Sequence, residues 1–385
     1  MFRKITILFL LLALFFTLDA GVVTAKSKLI RVAILRNTDH FVLAVGDRYT
    51  LIDQNTGKNI TTAIRLKPSM VTRDANGRLL IGDQPFENSR IIVEPRRDAS
   101  IRINDIHFRG VLVIVNNGTD GITVVNAIDL EQYIRGVLYH EISDKWPMEA
   151  IKAQAVATRT YALYSMETFA ARDYDVTNDV YSQVYGGKTA ERYRTNLAVK
   201  RTKGQVLTYR NKIIPAFFHA NSGGITESAA ELWDINIPPL KGGVESPYSV
   251  NSPHYRWQRN FQLKDIQEKI NAKGHVLGLI KTIRIKEFNP SQRVRKIEFV
   301  DRDGQSLVLT GKEFREILGP NALKSNMYNV QMKGYYVDFI GHGWGHGVGL
   351  DQWGAYNMAR MNFTYDKILS FYYPGTDMTR YEDID

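Results

Sequence analysis

The chain has 385 residues, 44% hydrophobic and 23% charged, a globular composition long enough to bury one or two sizeable cores and not that of a disordered chain. It contains no cysteine, which excludes disulfides and every thiolate-based catalytic or metal site. Fifty Lys and Arg against 40 Asp and Glu leave a formal charge of +10 with no run of five basic residues, which favours anionic partners but not nucleic acid.

The N-terminus reads MFRKITILFLLLALFFTLDAGVVTAKS. A basic start at Arg3 and Lys4, an apolar run from Ile5 to Leu18 and the small-residue pattern Val23-Thr24-Ala25 predict a signal peptide over residues 1–25, cleaved after Ala25. An uncleaved anchor is the alternative, which would leave the protein membrane-associated. The run is shorter than the roughly 20 residues a spanning helix needs, and Asp19 interrupts it. Either way the body of the protein is expected outside the cytoplasm: secreted, periplasmic or on the outer face of the membrane. There an anionic cell-wall polymer or a membrane surface is the natural partner for a basic protein.

Residues 26–125 are expected to be β-rich. Stretches such as LIRVAIL, SRIIVEP and GVLVIVNN are broken by turn signals at Asn76-Gly77, Asn117-Gly118 and Asp120-Gly121. The texture then changes. Asp129 followed by Gln132 suggests a capping box for a short helix, and Pro147 with Glu149 suits the first turn of a longer, alanine-rich helix running toward Ala170. Glu141 is expected in the connection between the two. From about Tyr174 strands and loops mix: a hairpin is predicted around Asp303-Gly304, and Thr310 with Glu313 caps a helix. These elements predict an α+β protein, with a β-rich N-terminal region over residues 26–125 followed over residues 126–385 by a mixed α/β region.

Three stretches carry candidate chemistry. Glu141, in LYHEIS between aromatic and aliphatic neighbours and near Trp146, is a carboxyl that desolvation would keep protonated as a general acid. In HANSGG, Ser222 and His219 offer a nucleophile and a base, but the setting is not the strand–turn–helix of a G-x-S-x-G elbow. A glycine turn whose serine and amides, at Ser222 and Gly223, bind a substrate is expected instead. GHGWGHGVGLDQWGA places a glycine at every second position from Gly341 to Gly349, around His342, Trp344 and His346. Glycine is poor strand material, so the pattern predicts a close backbone approach, with Trp344 and Trp353 offering flat faces to sugar rings. The histidines lack the carboxylate partners of an HExxH site, so a cleft wall is preferred to a metal site.

GVLYHEISDKWPMEAIKAQAVATRTYAL, HANSGGITESAAELW, LTGKEFREILG and GHGWGHGVGLDQWGA, in that order, resemble the stage II sporulation protein D (SpoIID/LytB) family over about residues 125–373. The resemblance implies a peptidoglycan lytic transglycosylase, cleaving between N-acetylmuramic acid and N-acetylglucosamine. Glu141 matches the catalytic glutamate. Gln154, Arg159 and Tyr161 match a helix supporting the cleft, and His219, Ser222, Gly223, His342, Trp344, His346 and Gln352 match segments lining it. Some members of the family bind zinc through cysteine and histidine near the serine–glycine turn; with no cysteine here, no cofactor is expected and a zinc is doubtful. Other relatives enhance amidases, which makes a non-catalytic wall-binding modulator working with an amidase or other wall enzymes the second expectation.

Overall fold

The computed structural model describes residues 28–97, 99–179 and 182–384. The expected export segment, residues 1–25, lies outside them. Among the described residues no helix is long and apolar enough to cross a membrane.

The chain is α+β, with strands dominating as far as Asp129. Leu29–Thr38 alternates as LIRVAILRNT and sends Ile30, Val32 and Ile34 inward. It pairs antiparallel with Ile122–Asp129, and the sheet continues through Val111–Asn116, Arg90–Pro95, Tyr49–Asp53 and Asn59–Ala63. The two-residue strand Val176–Thr177 adds to the other edge in parallel. A six-stranded sheet built around Phe41–Val45 and Leu66–Arg73 contributes Phe41, Leu43 and Val71 to the same apolar core as Ile91, Val93, Leu112 and Ile114. Gly77 takes a left-handed φ of 79° at its turn. Asn117-Gly118 and Asp120-Gly121 serve one connection, a single 3-10 turn over Gly118–Asp120.

The first helix, α1 (Leu130–Glu141), grows directly out of the last strand of the large sheet. Asp129 caps it by accepting the Gln132 N–H at 3.1 Å. Leu130, Tyr133, Ile134, Val137 and Leu138 form its buried face at helical spacing, so the same core runs across residue 125 from sheet to helix. Gly136 lets the helix rest on Tyr185, since a Cβ there would stand 2.4 Å from that ring. The long helix α2 (Met148–Thr168) follows, with Pro147 at its N-cap. Its alanines permit close packing: Ala150, Ala153 and Ala157 share a second core with Leu350, Ala355, Met358, Ile368 and Tyr372.

Beyond α3 (Tyr193–Arg201) and the one-turn α4 (Ala230–Trp233), a third core forms around Trp257, Phe299, Phe314 and Phe339. Here α5 (Leu263–Asn271) and α6 (Gly311–Leu318) pack with two three-stranded sheets. The hairpin at Asp303-Gly304 is present between Val294–Asp301 and Ser306–Thr310, and the Thr310–Glu313 capping box is complete. Two further helices, α7 (Gln352–Arg360) and α8 (Tyr365–Tyr372), both pack against α2, and the strand Asp377–Arg380 that follows pairs with Gln205–Tyr209.

Candidate active site

Glu141 is the last residue of α1 and not part of the connection that follows. The helix stops because Ile142 turns to extended backbone (φ −144°) while its N–H still reaches Leu138 O at 3.0 Å. This hands the Glu141 side chain to the space between α1, α2 and the start of α7. Two donors face it: the Val184 N–H at 3.4 Å and the Gln352 side-chain amide. Burial outweighs both and raises the carboxyl from its usual range to about 7, so at neutral pH a large fraction of it is protonated. None of the groups that shift Glu141 is a second carboxylate.

One face of α2 lies alongside. Gln154, Thr158, Tyr161 and Ser165 recur at intervals of four, three and four. Gln154 donates to Thr158 Oγ1 at 3.3 Å and accepts from the Gln352 amide at 3.4 Å, so Gln352 spans Gln154 and the acid. The Tyr161 hydroxyl bonds Ser165 and Ser182, and burial raises its pKa. Behind them Tyr133 donates to Gln183 Oε1 at 3.0 Å, and Gln183 donates to Thr158 O at 3.3 Å. These bonds fix the 182–184 segment that presents the Val184 amide.

Gln352 owes its position to Asp351, which caps α7 through the Gly354 N–H at 2.9 Å and accepts the Ser222 N–H at 2.9 Å. Next to it begins a row of rings. Trp353 lies 5.0 Å from Trp146 and 5.3 Å from Tyr356. His254 stands edge-on to both Trp353, at 5.9 Å, and Trp344, at 4.7 Å. His342 packs on Tyr255 at 5.0 Å. Trp344, Trp353, His254 and His342 are each only half buried, so their faces remain available to a ligand.

Several expected contact residues lie beneath this surface instead. Arg159 is fully buried and makes a bidentate pair with Glu131, both bonds 2.8 Å, while also donating to Gln205 O. It ties α2 to α1 and cannot reach a glycan. Ser222 is 0% exposed; its hydroxyl meets Ser249 Oγ at 3.4 Å and accepts the Gly224 N–H. The Gly223 N–H is spent on Asn221 Oδ1 at 2.7 Å, so the turn keeps its serine and these amides for itself. His219 donates from Nδ1 to Val348 O at 3.1 Å, and neither of its ring nitrogens bonds Ser222 as a general base would. Its Nε2 is buried without a partner, and burial drives its pKa down to about 3.

The alternating glycines are also explained from within. Gly343, Gly345, Gly347 and Gly349 all have positive φ, between 72° and 113°. A Cβ on Gly347 would lie 2.3 Å from the Arg293 guanidinium, and one on Gly349 would lie 2.1 Å from Phe217 O. The close approach that the pattern predicts is real, but the backbone it meets belongs to the protein. The amides of Gly343 and Gly345 donate to Tyr255 O and Lys324 O, leaving neither for a glycan. His346 accepts the Val348 N–H at Nδ1 and packs among Phe217, Trp233 and His219, with its pKa well below the usual value through burial.

Sequence reasoning missed the charges that clamp this loop. Arg293, 2% exposed, donates to Ser222 O at 2.6 Å and to Ile225 O at 3.1 Å, and the buried Glu227 accepts from Ser291 at 2.9 Å and from Asn289. Neither residue lies in a motif with a chemical signature. Asp351 was findable, because an Asp immediately before a helical run is a favoured N-cap. Among the described residues no three histidine or carboxylate side chains converge as a metal site would require.

The family model for the stage II sporulation protein matches residues 118–209, which hold Glu141 and the α2 face, and a model described as a domain of unknown function (DUF8618) matches residues 242–349. The chain is 31% identical to an uncharacterized protein of Brachyspira hyodysenteriae over 94% of its own length and 95% of the relative's. It is 27% identical to the amidase enhancer of Bacillus subtilis over 64% of its length, spanning 40% of that protein. With stage II sporulation protein D of Bacillus subtilis it shares 33% identity over 66% of its own length and 76% of the relative's; the chain belongs to the stage II sporulation protein D family.

Proposed function

We propose that this protein works on the bacterial cell wall as a lytic transglycosylase, outside the cytoplasm. The observation that carries this reading is Glu141: a lone carboxyl, raised to about 7 by burial, at the edge of a row of half-buried rings. Glycoside hydrolysis ordinarily takes two carboxylates, one to protonate the leaving oxygen and one to attack the sugar or activate water. A single acid suffices when the substrate supplies its own nucleophile.

In the proposed reaction Glu141 gives its proton to the glycosidic oxygen between N-acetylmuramic acid and N-acetylglucosamine as the C1–O bond breaks. The resulting carboxylate takes the proton of the muramyl C6 hydroxyl while that oxygen bonds C1. The acid is regenerated, no water is consumed, and the product carries a 1,6-anhydro end. A pKa near the working pH suits a group that must both give and accept a proton. Gln352 orients the carboxyl, and Trp353, Trp146 and Trp344 offer stacking faces for sugar rings.

The likeness to an amidase enhancer favours a second reading, a wall-binding modulator without chemistry of its own. Incubation with purified peptidoglycan separates the two. Soluble fragments with anhydro ends are expected from the enzyme; sedimentation with the wall and no release would establish the modulator.

A further inference from the structure

Four connections between the two N-terminal sheets cross at one end of the apolar core they share. Tyr49 stands opposite both Ala63 and Pro95 in the large sheet, and Val45 opposite both Leu66 and Ile101 in the smaller one. The connections 46–48, 64–65 and 96–100 therefore leave the sheets side by side. The fourth, 109–110, joins Ile106–Phe108, whose Phe108 faces Ile101, to Val111–Asn116.

Every crossing carries arginine: Arg48, Arg65, Arg96 with Arg97, and Arg109. Arg109 is spent on Glu191, at 2.8 Å. The others are not. Arg48, Arg65, Arg96, Arg97 and the neighbouring Lys67 are all exposed, and among the described residues their side chains make no ion pair, hydrogen bond or ring contact. The Arg96 N–H donates to Arg48 O at 2.6 Å, which holds two of these cations on adjacent strands, roughly 5 Å apart at the backbone. Asp47, the acid described in these crossings, accepts the Arg48 N–H at 2.6 Å; Asp98 lies outside the described residues. One step beyond the Tyr49–Ala63 pair, opposite Arg48, stands Ile64, 74% exposed.

A lone exposed isoleucine or a lone exposed arginine is ordinary surface. Five unpaired cations gathered around a bare aliphatic side chain match one kind of partner, a surface with anionic groups outside and hydrocarbon beneath. The path of the chain points the same way. It enters the large sheet at Leu29, opposite Asp129, and the register carried across through Ala127–Val111 and Leu112–Val93 puts Leu29 at the same end as Pro95. The apolar run Ile5–Leu18 precedes that entry, and the stretch from Leu18 to Leu29 reaches no further than about 40 Å when fully extended. While that run is in a membrane, this is the end tethered to it.

We propose that this end of the β-rich region, with Arg48, Arg65, Lys67, Arg96 and Arg97 around Ile64, is a docking face for an anionic phospholipid bilayer. The cations bind headgroup phosphates and Ile64 enters the interface, which keeps the protein at the membrane once the export segment has been removed.

The test is sedimentation of the chain beginning at Lys26, the expected product of cleavage, which keeps every described residue. It is mixed with vesicles of phosphatidylcholine alone or of phosphatidylcholine with an equal amount of phosphatidylglycerol. Binding is expected to the mixed vesicles only, and high salt should abolish it. Arg48→Gln and Arg96→Gln are each expected to weaken it about fivefold, the scale of one basic residue near an anionic membrane, and Ile64→Ser to weaken it with the salt dependence unchanged. Lys264→Gln with Lys269→Gln removes from α5 as much charge as both arginine substitutions together, and should leave binding within about twofold. Absence of binding to the mixed vesicles overturns the proposal. So does an equal loss from the α5 pair, which would reduce the effect to net charge. Binding of a soluble glycerol phosphate polymer that depends on Arg48 and Arg96, by a protein that ignores the vesicles, also overturns it and assigns the face to a wall polymer.

Discussion

Two regions of the molecule use similar residues to opposite ends. Around Glu141 an acid is left half satisfied: one long bond from Val184, one amide from Gln352 and, among the described residues, no cation to hold it ionised. Around the serine–glycine turn and the glycine–histidine loop, an acid, a histidine, a serine and an arginine are buried, with His346 partly so, and their polar atoms are largely bonded to one another or to backbone. A residue type that carries chemistry elsewhere is structural wherever its polar atoms are spent internally. The contrast separates the group that can act on a substrate from the groups that position it.

The two regions also respond to acid with opposite signs. Glu141 binds its proton more tightly in the folded state, about 7 against 4.5 for the free side chain. The folded protein therefore holds more protons between those values, and this contribution to stability is lost as pH rises through that window. His219 is the reverse: its pKa falls from 6.5 to about 3, so its contribution is present above 6.5 and lost as pH falls toward 3.

The comparison is tested most severely by catalysis. Glu141→Gln should lower glycan turnover by about 10²- to 10⁴-fold while leaving glycan binding intact, since it keeps the shape but cannot give up a proton. Turnover at the unsubstituted rate would remove Glu141 from the reaction. The next effect is on stability. Arg159→Met leaves Glu131 buried without its partner, and denaturant unfolding should show a loss of about 3–5 kcal/mol. Weakened glycan binding at unchanged stability would instead return Arg159 to the cleft surface.

Gly347→Ala should destabilise by about 1–3 kcal/mol or more through its positive φ and its contact with Arg293. A stable Gly347→Ala protein that loses only glycan binding would restore the expectation that these glycines admit a ligand. Smaller still is the change at the rings. Trp353→Ala should weaken glycan binding about tenfold, the scale of an aromatic contact, whereas Ser222→Ala should alter stability more than binding. The smallest effect is in pH dependence. Glu141→Gln should flatten the decline in melting temperature between about pH 4.5 and 7, and an unchanged slope would deny the raised pKa.

Much of this was legible in the sequence because it is local. The alternation of LIRVAILRNT, the Asp129 cap, the Asp303-Gly304 hairpin and the Thr310–Glu313 box each depend on residues a few positions apart. Glu141 could be read as a desolvated acid from its apolar neighbours, although its place as the last residue of α1 could not. What stayed hidden depends on distant pairs. Arg159 faces Glu131 from another helix, Ser222 meets Asp351 across 129 positions, and Arg293 fills the space that Gly347 leaves. No spacing rule connects such residues, so buried structural groups and exposed binding groups looked alike. The ring contacts of His254 and Lys324 with Trp344 escaped for the same reason.

The central claim is that one carboxyl, Glu141, serves as acid and then base while the substrate supplies the nucleophile. Digestion of purified peptidoglycan in oxygen-18 water, followed by mass spectrometry of the released fragments, tests it most directly. The account predicts muramyl ends in the 1,6-anhydro form, free of the heavy isotope. Reducing ends that carry oxygen-18 would show that water attacks C1, and would contradict it.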